Sequence, residues 1–185
     1  MKRSLKIPLF LVAAGVFAWL VFGVFGIQAL FIDRKVEEQV PEAVMSLVSG
    51  QDGGSASTDA ERALLGKGSF RQGDSTYTIS GDAFLSRING QLNLTFTGFD
   101  VTNGPDLFVY AVKSSSTDNQ EVKSTVSEGG FINLGTLKGN IGDQNYALED
   151  GLDLEDYPVI SIWCRRFGRN FGSALIEPEP IPGSP

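Results

Sequence analysis

The sequence predicts an all-β domain of sandwich or barrel type, preceded by one N-terminal transmembrane helix and a short helical and flexible linker. Three observations carry this. An uncharged apolar stretch runs from Ile7 to Ile32. From Gly66 onward the hydrophobic period changes from helix-like to two. Turn residues then recur at short intervals as far as Ile176, the pattern of many short strands. The expected segments are a cytoplasmic N-terminus at 1–6, a transmembrane helix at 7–32, and a juxtamembrane helix with a Gly/Ser linker at 33–65. The β-domain follows at 66–176 and a disordered Pro-rich tail at 177–185.

The 26 residues from Ile7 to Ile32 carry no charge, and as a helix they would span roughly 39 Å, enough to cross a bilayer with some tilt. Lys2, Arg3 and Lys6 precede them and the mixed run DRKVEE follows, which places the N-terminus in the cytoplasm and the remainder outside. A cleaved signal peptide is the competing reading. Its apolar region is usually only ~7–15 residues and ends at a small-residue site of the A-x-A kind. No such site follows here, so an uncleaved anchor is expected.

After the anchor, Val36, Val40, Val44 and Leu47 fall near helical spacing, with Pro41 as a kink or restart. SGQDGGSAS, residues 49–57, has the composition of a flexible linker. In TDAERALLG, Thr58 and Glu61 have capping-box spacing and Gly66 stands where a C-terminal cap would, which predicts one or two turns of helix. The clearest hairpin is FLSRINGQLNLTF. Asn89-Gly90 suits the two positive φ angles of a type I′ turn between a strand at 84–88 and one at 91–97. Further strands are expected at 77–80, 107–113, 131–134, 146–148, 159–166 and 173–176. The prolines of EPEPIPGSP keep the tail out of a sheet interior.

Composition excludes several classes of function. Setting Lys2, Arg3 and Lys6 aside from the 15 Lys and Arg leaves 12 against 22 Asp and Glu, a formal charge of about −10 for the exported part. Nucleic acid is a poor partner for such a surface, and the acidity serves solubility. The chain has no histidine, so Ser-His-Asp triads, imidazole metal sites and His-ligated haem are ruled out. Its one cysteine, Cys164, closes no disulfide within the chain. No complete catalytic constellation and no cofactor site is expected.

In VISIWCRRF, parity puts Ile160, Ile162 and Cys164 on one face and Val159, Ser161, Trp163 and Arg165 on the other. Cys164 is then a small core residue, inert because burial raises its pKa, or a redox thiol beside Trp163 in the field of Arg165, Arg166 and Arg169, or, the case expected here, a thiol half buried beneath Phe167 and Phe171 that reacts when the strand end opens. A thiol that merely fills the core should tolerate alanine better than serine, whose hydroxyl would be buried without a partner. The stretch EDGLDLEDYP offers Asp150, Asp153 and Asp156 as calcium candidates, without the register of a known calcium loop, and otherwise reads as a solvated acidic turn. NLT at Asn93 is a glycosylation sequon by pattern, placed in mid-strand.

GPDLFVY, NLGTLKGNIGDQNY, DLEDYPVISIWC and FGRNFGSALI, in that order and preceded by GKGSF, resemble the DM-13 domain, also called the electron-transfer DM-13 family. The resemblance covers about three fifths of the chain, roughly Gly68 to Ile176. It implies a compact β-sandwich-like domain, often extracellular and found in some proteins beside DOMON and b-type cytochrome domains. It also implies a proposed redox role for the cysteine that matches Cys164 in IWC. Members commonly carry a histidine a few residues before the glycine that matches Gly81, and here STYTISG has Tyr77 near that place. That departure argues against a paired Cys-His or metal-assisted mechanism. No cytochrome module accompanies the domain in this sequence, so the resemblance implies a separate redox partner protein.

The expected function is a single-pass, extracytoplasmic redox or electron-transfer module built on Cys164. The alternative is a non-catalytic surface module that binds protein, glycan or calcium through loops such as 100–105 and 149–158.

Overall fold

Asn89 and Gly90 both take positive φ, 50° and 82°, so the pair forms the tight turn that joins β3 (Ile79–Ile88) to β4 (Gln91–Val101). This hairpin is the centre of one sheet. The structure, a computed structural model, describes residues 6–20, 33–41, 44–45, 62–149 and 155–179. Among these, the remaining strands are β1 (Arg62–Ser69), β2 (Arg71–Gln72), β5 (Leu107–Val112), β6 (Phe131–Thr136), β7 (Gln144–Ala147), β8 (Val159–Cys164), β9 (Arg169–Leu175) and β10 (Glu177–Pro178). They form two antiparallel sheets, ordered β10-β1-β3-β4-β7 and β2-β9-β8-β5-β6.

The sheets face each other across one core, the arrangement of a β-sandwich. Leu92, Leu94 and Phe96 of β4 share a face, as alternation predicts. They meet Leu107, Val109 and Ala111 of β5 and Ile160, Ile162 and Cys164 of β8. Phe96 packs edge-on to Phe70 at 5.0 Å. The outer face of the second sheet has its own cluster, in which Phe108, Tyr110 and Trp163 lie with Val122 and Val126 of helix α2 (Asn119–Ser127). Asp118 caps that helix by accepting from the Gln120 and Glu121 backbone amides.

Glu121 ties the helix to the preceding loop. Its carboxylate accepts from the Ser114 and Ser116 hydroxyls, each at 2.7 Å, and from the Ser115 amide at 2.9 Å. These bonds hold it far below its ordinary 4.5, at about 2. The ionised form therefore favours the folded state above the ordinary value, and that contribution is lost as pH falls from 4.5 toward about 2. Glu121→Gln is expected to flatten this part of the acid-stability curve, as read from circular-dichroism melts across that window. An unchanged acid limb would show that the serine cradle does not stabilise the ionised form.

The structure corrects the sequence reading at three places and leaves a fourth unsupported. Helix α1 (Lys6–Trp19) is the described part of the predicted span, and 21–32 lie outside the described residues. Among the described residues no helix is long and apolar enough to cross a membrane, so they do not support the expected transmembrane helix. Over 33–41 the predicted juxtamembrane helix is an extended strap, where Val36 N–H donates to Ile141 O and Glu38 N–H to Asp143 O; the expected restart at Pro41 is borne out at 44–45, which are helical, with Met45 N–H donating to Pro41 O at 3.1 Å. The predicted helix before Gly66 is β1 from Arg62 onward, paired with β3 from Arg62↔Ile88 to Ser69↔Asp82; 58–61 and the linker 49–57 lie outside the described residues. Finally, Glu177–Pro178 of the predicted tail pairs with β1 at the sheet edge, where a strand proline is tolerated. Residues 180–185 lie outside the described residues.

Candidate redox site

Cys164 ends β8, the central strand of its sheet, where it pairs with Leu107 of β5 and Arg169 of β9. The alternation read from VISIWC holds: the sulfur faces the inner core, and Trp163 faces the outer cluster. Cys164 is free and fully buried. Its thiol donates to the carbonyl oxygen of Pro105 at 3.0 Å, a contact between positions 59 apart in sequence.

The segment that supplies this carbonyl is tightly held. Asn103 Oδ1 accepts from the Gly104 amide at 2.8 Å, and Asp106 sits at φ 69°, an uncommon conformation outside glycine. Gly104 lies against the ring of Phe171, where a Cβ would stand only 2.8 Å from Cζ. Phe171 is itself stacked on Tyr77, with centroids 3.7 Å apart. The Arg165 amide donates to Asp106 O at 3.1 Å, and its guanidinium grips the Asp106 carboxylate through Nε at 3.1 Å and Nη2 at 3.2 Å. The same guanidinium lies 4.4 Å from the centre of the Phe108 ring. One loop, 103–106, thus binds both the sulfur and the turn that follows it.

Burial pushes the Cys164 thiol up. The Phe167 and Arg166 backbone amides pull it down, Asp106 pushes it up and the Arg166 charge pulls it down, and burial prevails. The arginines expected to favour thiolate point away from the core, so proximity in sequence overstated their effect. Trp163 is separated from the thiol by the sheet and lies over Tyr110 at 6.3 Å. The predicted companions therefore divide: Arg165 acts through Asp106, Arg166 touches the sulfur's environment through its amide, and Trp163 belongs to the other face. Of the two rings expected over the sulfur, Phe171 is buried with it in the core and Phe167 is exposed, and the sulfur is fully rather than half buried. Sequence reasoning missed Pro105 as a contributor. GPD was legible as a turn, but nothing local says which strand end it covers.

The calcium candidates are not assembled. Asp156 is exposed and paired with Lys113 at 3.1 Å, while Asp150 and Asp153 lie outside the described residues. Among the described residues no group of three or more His, Cys, Asp and Glu could hold a metal ion. Asn93 uses its side-chain amide to reach Gln91 O at 2.9 Å. A cavity of about 410 Å³ lies beside the 103–106 loop, lined by Asp33, Arg34, Asn103, Asp106 and Asn140 among others.

The chain matches the family model described as Electron transfer DM13 over residues 69–176. Nothing matches it among the curated proteins or the solved structures. The matched residues run from the end of β1 through β9 and include Cys164 and the 103–106 loop, and the strap at 33–41 lies outside them. They make up more than half of the 185 residues, and the family's description supports a redox or electron-transfer role. The chain belongs to the electron transfer DM13 family.

Proposed function

We propose that this protein is a membrane-anchored, extracytoplasmic redox module in which Cys164 exchanges with a separate partner protein. The observation that carries the reading is the position of the sulfur. It is buried, yet it lies one residue before the exposed turn that opens at Arg165, and its hydrogen bond is made to a surface loop rather than to the middle of a sheet. Local opening of that turn or of the 103–106 loop frees the thiol without unfolding the sandwich.

In the open form, the Cys164 thiolate attacks one sulfur of a partner disulfide. The new S–S bond forms as the partner's breaks, and the released partner thiolate takes up the proton that Cys164 gave off. A thiol of a second molecule then attacks the partner sulfur of the mixed disulfide, and Cys164 leaves as thiolate. Closure protonates it and restores the bond to Pro105. The chain's own contribution is control of access, because burial and the raised thiol pKa keep the closed form unreactive.

The anchor is supported by the uncharged run from Ile7 to Ile32, by the basic residues before it, and by the exposure of Phe10, Phe17 and Trp19 on α1. The protein should resist carbonate extraction from membranes. For the redox reading, the full chain is treated with a thiol probe in native buffer and in mild denaturant. Labelling of Cys164 is expected to be slow at first and to rise well below the global melt, and mild peroxide should leave a sulfenate there. Labelling that appears only with global unfolding would overturn this reading and leave Cys164 a packing residue.

A further inference from the structure

Among the described residues of the β-domain, Phe167 is the one large apolar side chain left exposed, at 56%. It stands in the β8–β9 turn, Arg165-Arg166-Phe167-Gly168-Arg169, which places three arginines around it in a chain of net charge −7. Arg165 is held by Asp106 and Arg169 stands 3.9 Å from Asp74, yet both side chains remain more than half exposed. An exposed aromatic ring beside arginines suits the interface of an anionic bilayer, where the ring reaches the acyl boundary and the exposed cationic turn faces lipid phosphates.

The chain path puts this turn next to the anchor. Asp33 directly follows the apolar segment, and its carboxylate accepts from the Asn140 side-chain amide at 2.8 Å. The Asn140 backbone amide donates to Arg34 O at 3.0 Å, and Glu38 holds Lys138 at 2.8 Å. Gly142 permits this docking, because a Cβ there would run into Val36 O. The domain is therefore strapped, not loosely tethered, at the end where the anchor leaves. Asp106 lines the same cavity as Asp33 and Arg34 and also grips Arg165, so the turn and the strap share that end. The β3–β4 turn at Asn89-Gly90 lies at the opposite end, since β4 leaves that turn and reaches Ile141 at Asp100.

We infer that the β8–β9 turn is a membrane-surface contact, with Phe167 inserted among anionic lipid headgroups and Cys164 held at the bilayer face of the domain. This rests on the anchor reading and goes beyond it: partners that reach Cys164 do so from the plane of the membrane.

The test uses the full chain in detergent, in nanodiscs of phosphatidylcholine, and in nanodiscs that also contain phosphatidylglycerol. Hydroxyl-radical oxidation of the Phe167 ring is read by mass spectrometry, with Tyr157, near the start of β8 at the other end, as the internal reference. Oxidation of Phe167 is expected to fall in the anionic discs relative to detergent while Tyr157 is unchanged. Arg166→Glu, which changes the charge of the turn by two, should return Phe167 oxidation in the anionic discs toward its level in detergent while the chain stays in the discs. Equal oxidation of Phe167 in all three settings overturns the inference. Protection in native membranes but in neither disc also overturns it, because the turn then belongs to a protein partner. Failure of the chain to co-migrate with the discs overturns the anchor reading itself, and the inference falls with it.

Discussion

Phe171→Ala is expected to lower the stability of the domain by about 3–5 kcal/mol, the usual range for truncating a buried aromatic ring. Phe171 is 1% exposed, and its ring lies between Tyr77 and Gly104. Removing it leaves a void bounded by the loop whose next carbonyl holds the Cys164 thiol. A domain of this size typically has ~5–15 kcal/mol to lose, so the variant should remain folded in the cold. Its thiol should then react faster with a probe under native conditions, by roughly tenfold for each 1.4 kcal/mol lost by the closed loop. Phe171→Leu keeps most of the volume and should fall between the two. A melt that drops with no gain in thiol reactivity would place the barrier to access in the β8–β9 turn and not in the 103–106 loop.

The features legible in the sequence are those that local chemistry decides. Asn89-Gly90 demanded a tight hairpin, and the alternation on both sides of it agreed, so turn and core signals pointed to one register. The parity of Ile160, Ile162 and Cys164 was legible for the same reason. The strap was misread because a spacing of four satisfies two periods. Val36 and Val40 suit one face of a helix, yet four is also an even number, and in the extended strap the half-buried positions alternate at Val36, Glu38 and Val40 before Pro41, which is half-buried too. Backbone pairing with Ile141 and Asp143 selects the extended form.

TDAERALLG was misread for a different reason. Its capping pattern is a local preference, whereas Arg62–Ser69 gains a ladder along β3 on one side and a short pairing with β10 on the other, and pairing over that length outweighs a short helix. Helix α2 left a faint signal in Asp118 as cap, in Val122 and Val126 four apart, and in Gly129 beyond its end. Within a run of strands nine residues of modest propensity are easily passed over. The site itself was half legible: the cysteine and the face it shares with Ile160 and Ile162 were, but its full burial was not, and the carbonyl it binds lies 59 residues away with no periodicity to connect them.

That carbonyl also changes what substitution of Cys164 should do. With no partner in view, serine would be the worse replacement, since a buried hydroxyl without an acceptor costs about 1–3 kcal/mol. With Pro105 O at 3.0 Å, a serine hydroxyl has an acceptor within reach of a small adjustment, while alanine leaves that buried carbonyl unpaired and a small void beside Ile162. Cys164→Ala is therefore expected to cost about 1–3 kcal/mol and Cys164→Ser less, reversing the order for a thiol that only fills space. Both variants should lose sulfenate labelling and mixed-disulfide trapping completely, so chemistry and packing separate: redox readouts vanish equally in the two, and only the melts differ. Melts in urea, with matching slopes, would measure the order. If serine proves the more destabilising, the hydroxyl does not reach Pro105, and the 103–106 loop does not hold the sulfur in the way that access control at Cys164 requires.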